Sequence, residues 1–232
     1  MKSALLLAVL FTLSSCVKEN TNEYEKNTPV VSGDITIDSA INTEFTPSTK
    51  RNVLKNHPEY IAKNEGEVSE LDFEMAYEMC VRVLNDYYKA VWNGLDIKLD
   101  TFINNDNLKQ YTQNKIQSQH NVKGKWNDNV KNIEIEDWEV EYTEDMDGGF
   151  LYLKLPVEIK KDVGGYGEIT EFLVRNKNGK LVIADWYTGA KDSYDFLVRG
   201  ENLTIDNPNI WNDSEWVKKL NNKQVDFSGS TR

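Results

Sequence analysis

Apolar residues recur at Phe73, Tyr77, Cys80, Leu84, Tyr87 and Val91, and from Val130 onward the repeat shortens to two. The first spacing alternates steps of four and three, which puts those side chains on one stripe of a helix. Ser69, with Asp72 three residues later, approximates a capping box at its start, and Gly94 marks its end. Glu74, Glu78, Arg82, Asp86 and Lys89 fall on the opposite face, with Glu78 and Arg82 at the favourable i,i+4 spacing. Two weaker helical segments follow. One covers 97–103; the other is capped by Asp106 and runs through Leu108, Tyr111 and Ile116 towards Gln119.

The period-two region reads as four strands. Ile133 and Ile135 sit on one parity and Trp138, Val140 and Tyr142 on the other, so a bulge is expected near Glu136 and Asp137. Asp147-Gly148-Gly149 is a turn, after which Leu151, Leu153, Leu155, Val157 and Ile159 give a regular second strand. Gly164, Gly165 and Gly167 mark the next turn, and the third strand covers 169–176. Asn178-Gly179 is a hairpin signal before the fourth, 181–187, whose apolar residues on both faces predict a central position. Beyond Gly189 the pattern loosens. Asn212-Asp213-Ser214 can cap a short helix carrying Trp216 and Leu220, with Pro208 and Trp211 packing this segment back on the body. Helices first and an antiparallel meander second predict an α+β domain, with helices on one face of a four-stranded antiparallel sheet.

Ahead of this domain the chain is different in kind. Lys2 carries one positive charge, and residues 4–13 are almost wholly apolar. That run fits a signal-peptide core and falls short of the ~20 apolar residues a spanning helix needs. It ends Leu13-Ser14-Ser15-Cys16, which resembles the lipobox of bacterial lipoproteins. The resemblance implies diacylglycerol on the Cys16 sulfur and cleavage before it, leaving the protein lipid-anchored on the extracytoplasmic face of a cell membrane. Residues 17–67 are rich in Asn, Thr, Ser, Glu and Lys and bury too little apolar surface to offset their ordering entropy. The expected organisation is therefore a signal peptide over 1–15 and a lipidated N-terminus with polar tether over 16–67. The α+β domain covers 68–189, and a C-terminal extension with a short helix covers 190–232.

A formal charge of −11 argues against nucleic acid as a partner, and membrane contact is expected through the lipid and not through a basic face. Once lipid consumes Cys16, Cys80 has no partner for a disulfide and reads as a small buried hydrophobe. His57 and His120 are far apart, so no zinc cluster is expected, and no cofactor is implied. Thr143, Asp145, Asp147 and Gly148 echo the start of a calcium loop, but Lys154 stands where a bidentate Glu is needed. A solvated strand edge and turn is the favoured reading of that acidic stretch.

The order of elements is similar to the NTF2-like, cystatin-related cone fold, in which a long helix and shorter ones lie across a strongly curved sheet. Residues 179–187, GKLVIADWY, resemble that family's last long strands, and the likeness covers about 68–189. Together with the Asn- and Lys-rich composition, the chain resembles lipoproteins of low-GC Gram-positive bacteria. The resemblance implies a pocket between sheet and helices, for which Trp138, Tyr142, Tyr152, Asp185, Trp186 and Tyr187 are the candidate lining. Filling of the core is the favoured role for these rings, and the walls of a small-ligand pocket the alternative. A non-catalytic domain that binds a protein or small molecule is expected. A structural accessory of an envelope complex, of secretion or conjugation type, is the second reading, and a cone enzyme using Asp185 with a tyrosine is a third.

Overall fold

The computed structural model describes residues 59–126, 128–201 and 203–223. Cys16, the signal segment, His57 and most of the polar segment expected over 16–67 lie outside the described residues.

Helix α1, Phe73–Asn93, follows one turn of 3-10 helix at Glu70–Asp72. Asp72 is buried, and its carboxylate accepts from the Ser69 and Lys63 backbone N–H groups, so the expected capping box is present. Gly94 ends the helix in the left-handed region at φ 67°. The buried face is wider than one stripe. Cys80, Leu84, Tyr87 and Val91 go inward as expected, but Met79, Val83, Tyr88 and Trp92 join them while Phe73 and Tyr77 are only partly buried. A helix covered by sheet on one side and by a second helix beyond it buries such an arc. After a 3-10 turn at Leu99–Thr101 comes α2, Asp106–Lys123. Its cap is Asn105 and not Asp106. The extended backbone of Asn105 lets its side chain accept from the N–H groups of Asn107 and Leu108.

The sheet has five antiparallel strands: β1 Val130–Ile135, β2 Glu139–Thr143, β3 Phe150–Lys161, β4 Gly165–Lys177 and β5 Lys180–Thr188. Both β1 and β2 pair along the same edge of β3, and β4 and β5 follow on its other side. The first expected strand is thus split in two. Residues 136–138 cover the stretch that 155 and 156 cover on β3, one residue more, and Asp137 takes φ 27° to absorb it. The hairpin signal at Asn178-Gly179 is realised with φ 55° and 79°, positive at both positions as a type I′ turn requires.

Strand β5 is at the edge of the sheet and not at its centre. Its apolar two-sided character has another cause: the edge is roofed by its own chain. The Leu181 and Ile183 N–H groups donate to the carbonyls of Tyr60 and Phe102, and Thr188 N–H donates to the Asp195 carboxylate. Packing therefore starts before residue 68, with Tyr60, Ala62 and Val68 buried and Ile61 bridged to Lys180.

Leu151, Leu153, Leu155, Val157 and Ile159 of β3, with Phe172 and Val174 of β4, form the core under α1. Each such burial stabilises by about 1.5–3 kcal/mol. The C-terminal residues are integral to this body. Beyond β5 lie α3, Tyr194–Arg199, which the sequence pattern did not announce, and α4, Ser214–Asn221, capped by Asp213 as anticipated. Val198, Trp211, Val217 and Leu220 all belong to the main core. On the other sheet face Leu173 and Tyr187 pack with Phe150 and Ile205 in a smaller cluster. No helix among the described residues is long and apolar enough to cross a membrane.

Candidate functional site

Most of the chemistry of the fold is concentrated in the interior, where α2 and α3 meet β4 and β5. Helix α2 turns Leu108, Tyr111, Thr112, Lys115 and Gln119 inward, a stripe at helical spacing that is mostly polar. Lys115 Nζ lies 2.5 Å from Asp195 Oδ2, and the two side chains are 1% and 0% exposed. Asp195 sits in the first turn of α3, whose N-cap Ser193 accepts from Phe196 N–H and donates to Thr188 O. The same carboxylate accepts from the Tyr111 hydroxyl at 2.8 Å and from Thr188 N–H at 2.8 Å. The Lys115 ammonium also stands 4.5 Å from the Trp186 ring centre and 5.0 Å from that of Tyr87. Burial draws the lysine below its ordinary pKa, with the adjacent Asp195 opposing the shift.

A second buried pair stands beside it. Arg199 Nη1 and Nη2 grip the two oxygens of Asp185 at 2.9 and 2.7 Å, and Trp211 Nε1 donates to the same carboxylate at 2.8 Å. The guanidinium is held against the rings of Tyr187, Trp211 and Trp216. Burial raises the Asp185 carboxyl above the usual carboxylate range, and Arg199 pulls the other way. Among the described residues, Trp186 Nε1, Thr112 Oγ1 and Arg199 Nε are buried and find no hydrogen-bond partner.

Glu168, on the core side of β4, is a half-buried acid. It accepts from the Tyr88 hydroxyl and has no ion-pair partner among the described residues. Burial raises its carboxyl pKa, while Lys123, the Tyr88 hydrogen bond and Lys115 act to lower it.

The six residues expected to line a pocket do not surround a common space. Trp186 is fully buried against Tyr87 and Phe172 on the core face. Tyr187 belongs to the smaller cluster on the opposite face, its hydroxyl donating to Gly200 O. Tyr152 donates to Glu171 at 2.6 Å. Trp138 stacks on Tyr77 with ring centres 4.5 Å apart, and Tyr142 is exposed on β2. Alternation across the sheet explains this scatter, because neighbouring aromatic residues on one strand face opposite sides. Asp185 has Arg199 and Trp211 as partners in place of a tyrosine. The carboxylate–tyrosine pairs of the interior are Asp195 with Tyr111 and Glu168 with Tyr88.

Among the described residues, neither Lys115, Asp185 nor Asp195 lines the main surface hollows, of about 380–650 Å³. The hollow that touches Glu168 is floored by Pro156, Glu158, Gly167 and Ile169, which the strand register places on the face opposite the core. Val157, Tyr166 and Glu168, from the core side, line it as well, so the half-buried Glu168 borders it.

Other sequence signals have structural uses. Asp145, at the calcium-loop echo, accepts from the N–H groups of Asp147 and Gly149 and from Arg175, so the turn is closed by protein groups. His120 Nδ1 lies 2.8 Å from Val91 O, and the ring packs against Gly94 and Gly124. Cys80 is fully buried, and burial pushes its thiol well above the ordinary value, which disfavours a nucleophilic thiolate. Compared with known protein families, curated proteins and solved structures, the chain matches none.

Proposed function

We propose that the chain is a membrane-anchored extracytoplasmic lipoprotein whose domain is a non-catalytic binding module that recognises its partner with its outer surface. The anchor is the diacylated Cys16 implied by Leu13-Ser14-Ser15-Cys16. One observation favours recognition outside over chemistry inside: Asp185 and Asp195 are saturated by Arg199, Trp211, Lys115 and Tyr111. A catalytic acid or base must reach a substrate proton within hydrogen-bond distance, and these two carboxylates face protein donors instead. The order of helices and meander, with α1 lying on the sheet, supports the likeness to an NTF2-like cone, filled here by Trp186, Phe172 and Tyr87.

The test is fractionation of cells expressing the wild-type chain and Cys16→Ala, with a radiolabelled fatty acid supplied during growth. The wild-type protein takes up label and sediments with membranes, and the variant does neither. An unlabelled wild type, or a labelled variant, overturns the anchor.

A second reading is favoured by Glu168 with Tyr88, a half-buried acid without an ion-pair partner among the described residues. It makes the domain an enzyme moving a proton at that pair. Activity on any carbonyl compound that disappears in Glu168→Gln, with the fold intact, would select it.

A further inference from the structure

The charge of the protein is unevenly distributed. Where the α2–β1 connection meets the β3–β4 turn, Lys161 pairs with Asp128 at 2.7 Å and Lys131 with Asp162 at 3.4 Å, and Lys123 and Lys125 add positive charge, in a chain whose net charge is −11. Two large apolar side chains project from the same two loops: Trp126 is 61% exposed and Val163 77%. The loops are tied together. Asp128 accepts from Val163 N–H at 3.2 Å and from Lys161 Nζ at 2.7 Å, and Asp162 N–H donates to Asn129 O at 2.9 Å. Trp126 rests edge-on against Trp92, ring centres 6.0 Å apart, and Trp92 is buried with Lys161 and Lys123 near its ring. The indole is thus held outward at an ordered position.

We propose that this tip is a lipid-docking site for a bilayer surface carrying anionic headgroups. An indole with an apolar body and a polar N–H suits the interfacial zone, and the positive charge of Lys123 and Lys125 close to it attracts anionic headgroups. A protein partner would call for a contiguous apolar patch. A glycan platform would call for a row of open ring faces, whereas Trp92 and Tyr166 lie behind Trp126 with lysines against them. The tip is at one end of β4, and the entering chain at Tyr60–Ala62 docks at the other, beside the β4–β5 turn. The thirteen residues of β4 separate them by roughly 40 Å at ~3.3 Å per residue. This contact is therefore distinct from the one expected at Cys16, and does not rest on it.

The experiment uses the full chain purified from membranes and mixed with vesicles of phosphatidylcholine alone or with one third phosphatidylglycerol, each also made with brominated acyl chains. Brominated anionic vesicles quench part of the tryptophan emission of the wild type. That part is lost in Trp126→Phe, is weaker in neutral vesicles, and falls on the order of twenty-five-fold in Lys123→Ala/Lys125→Ala, from about fivefold per lysine. Equal quenching in Trp126→Phe, or none with anionic vesicles, overturns the proposal. So does a Trp126 emission change with a soluble anionic polysaccharide in place of vesicles. Failure of the anchor shows separately, as wild-type protein that does not float with neutral vesicles. Sedimentation of that free protein with anionic vesicles, wild type against Trp126→Phe, then reads the tip by itself.

Discussion

Lys115 reaches Asp195 at 2.5 Å from the middle of α2, and neither side chain is open to solvent. Stripping one partner from such a pair leaves an uncompensated buried charge, which costs about 3–5 kcal/mol, whereas apolar replacement of both is often close to neutral. Lys115→Ala and Asp195→Ala should each lower the unfolding free energy in denaturant by that amount, and Lys115→Met/Asp195→Leu should recover most of it. Equal losses in the singles and the double would mean that the pair is not the unit that matters.

Glu168 gives a pH signature. Its folded-state pKa is raised by burial, so the folded state binds more protons than the unfolded one between the two values. The contribution is fully present below the unfolded value, about 4.3, and is lost as pH rises through the higher folded value. Stability curves for the wild type and Glu168→Gln should run parallel in acid and diverge above about pH 4.3, with the wild type declining relative to the variant. A difference that does not vary with pH would contradict the burial of this acid.

The β1–β2 edge carries Glu134, Glu139 and Glu141, all exposed, and the bulge at Asp137 twists it. Charge on an open edge opposes pairing with another chain. Glu139→Val/Glu141→Val should therefore associate with itself at concentrations where the wild type stays monodisperse in sedimentation velocity. A double variant indistinguishable from the wild type would remove that role from the glutamates.

Gly148 holds φ 91°, and a Cβ there would sit 2.3 Å from Gly66 O, beside the Val68 N–H to Gly148 O hydrogen bond. Gly148→Ala combines backbone strain with a clash against backbone and should cost on the order of 1–3 kcal/mol. Thermal unfolding monitored by circular dichroism checks it.

Local signals were legible where one residue type carries a backbone demand. Gly94 ends α1, Asn178-Gly179 turns the last hairpin, and the parity slip at Glu136-Asp137 marks the bulge. The strand pattern and the α+β order followed from alternation. Burial of polar groups was not legible, because polarity normally signals solvent. Lys115 and Gln119 share a helical stripe with Leu108 and Tyr111, and that spacing was the available clue. Asp195, the partner of Lys115, lies eighty residues away, on a six-residue helix too short to show a period. The same limit misplaced β5. Two apolar faces suggest a central strand, but the second face is covered by Phe150, Leu203 and Ile205 while β5 stays at the sheet edge. The aromatic residues are grouped because they fall on neighbouring strands, though not all on one face, and alternation sends Trp186 and Tyr187 to opposite sides.

The central claim is that the chain works from a lipid anchor at Cys16 and keeps its interior closed by its own side chains. Native mass spectrometry of the protein extracted from membranes in mild detergent tests both parts at once. The account predicts a polypeptide beginning at Cys16, heavier by its acyl groups, with no small molecule retained. A chain that begins elsewhere or carries no lipid, or one that holds a stoichiometric ligand which Trp186→Ala releases, would contradict it.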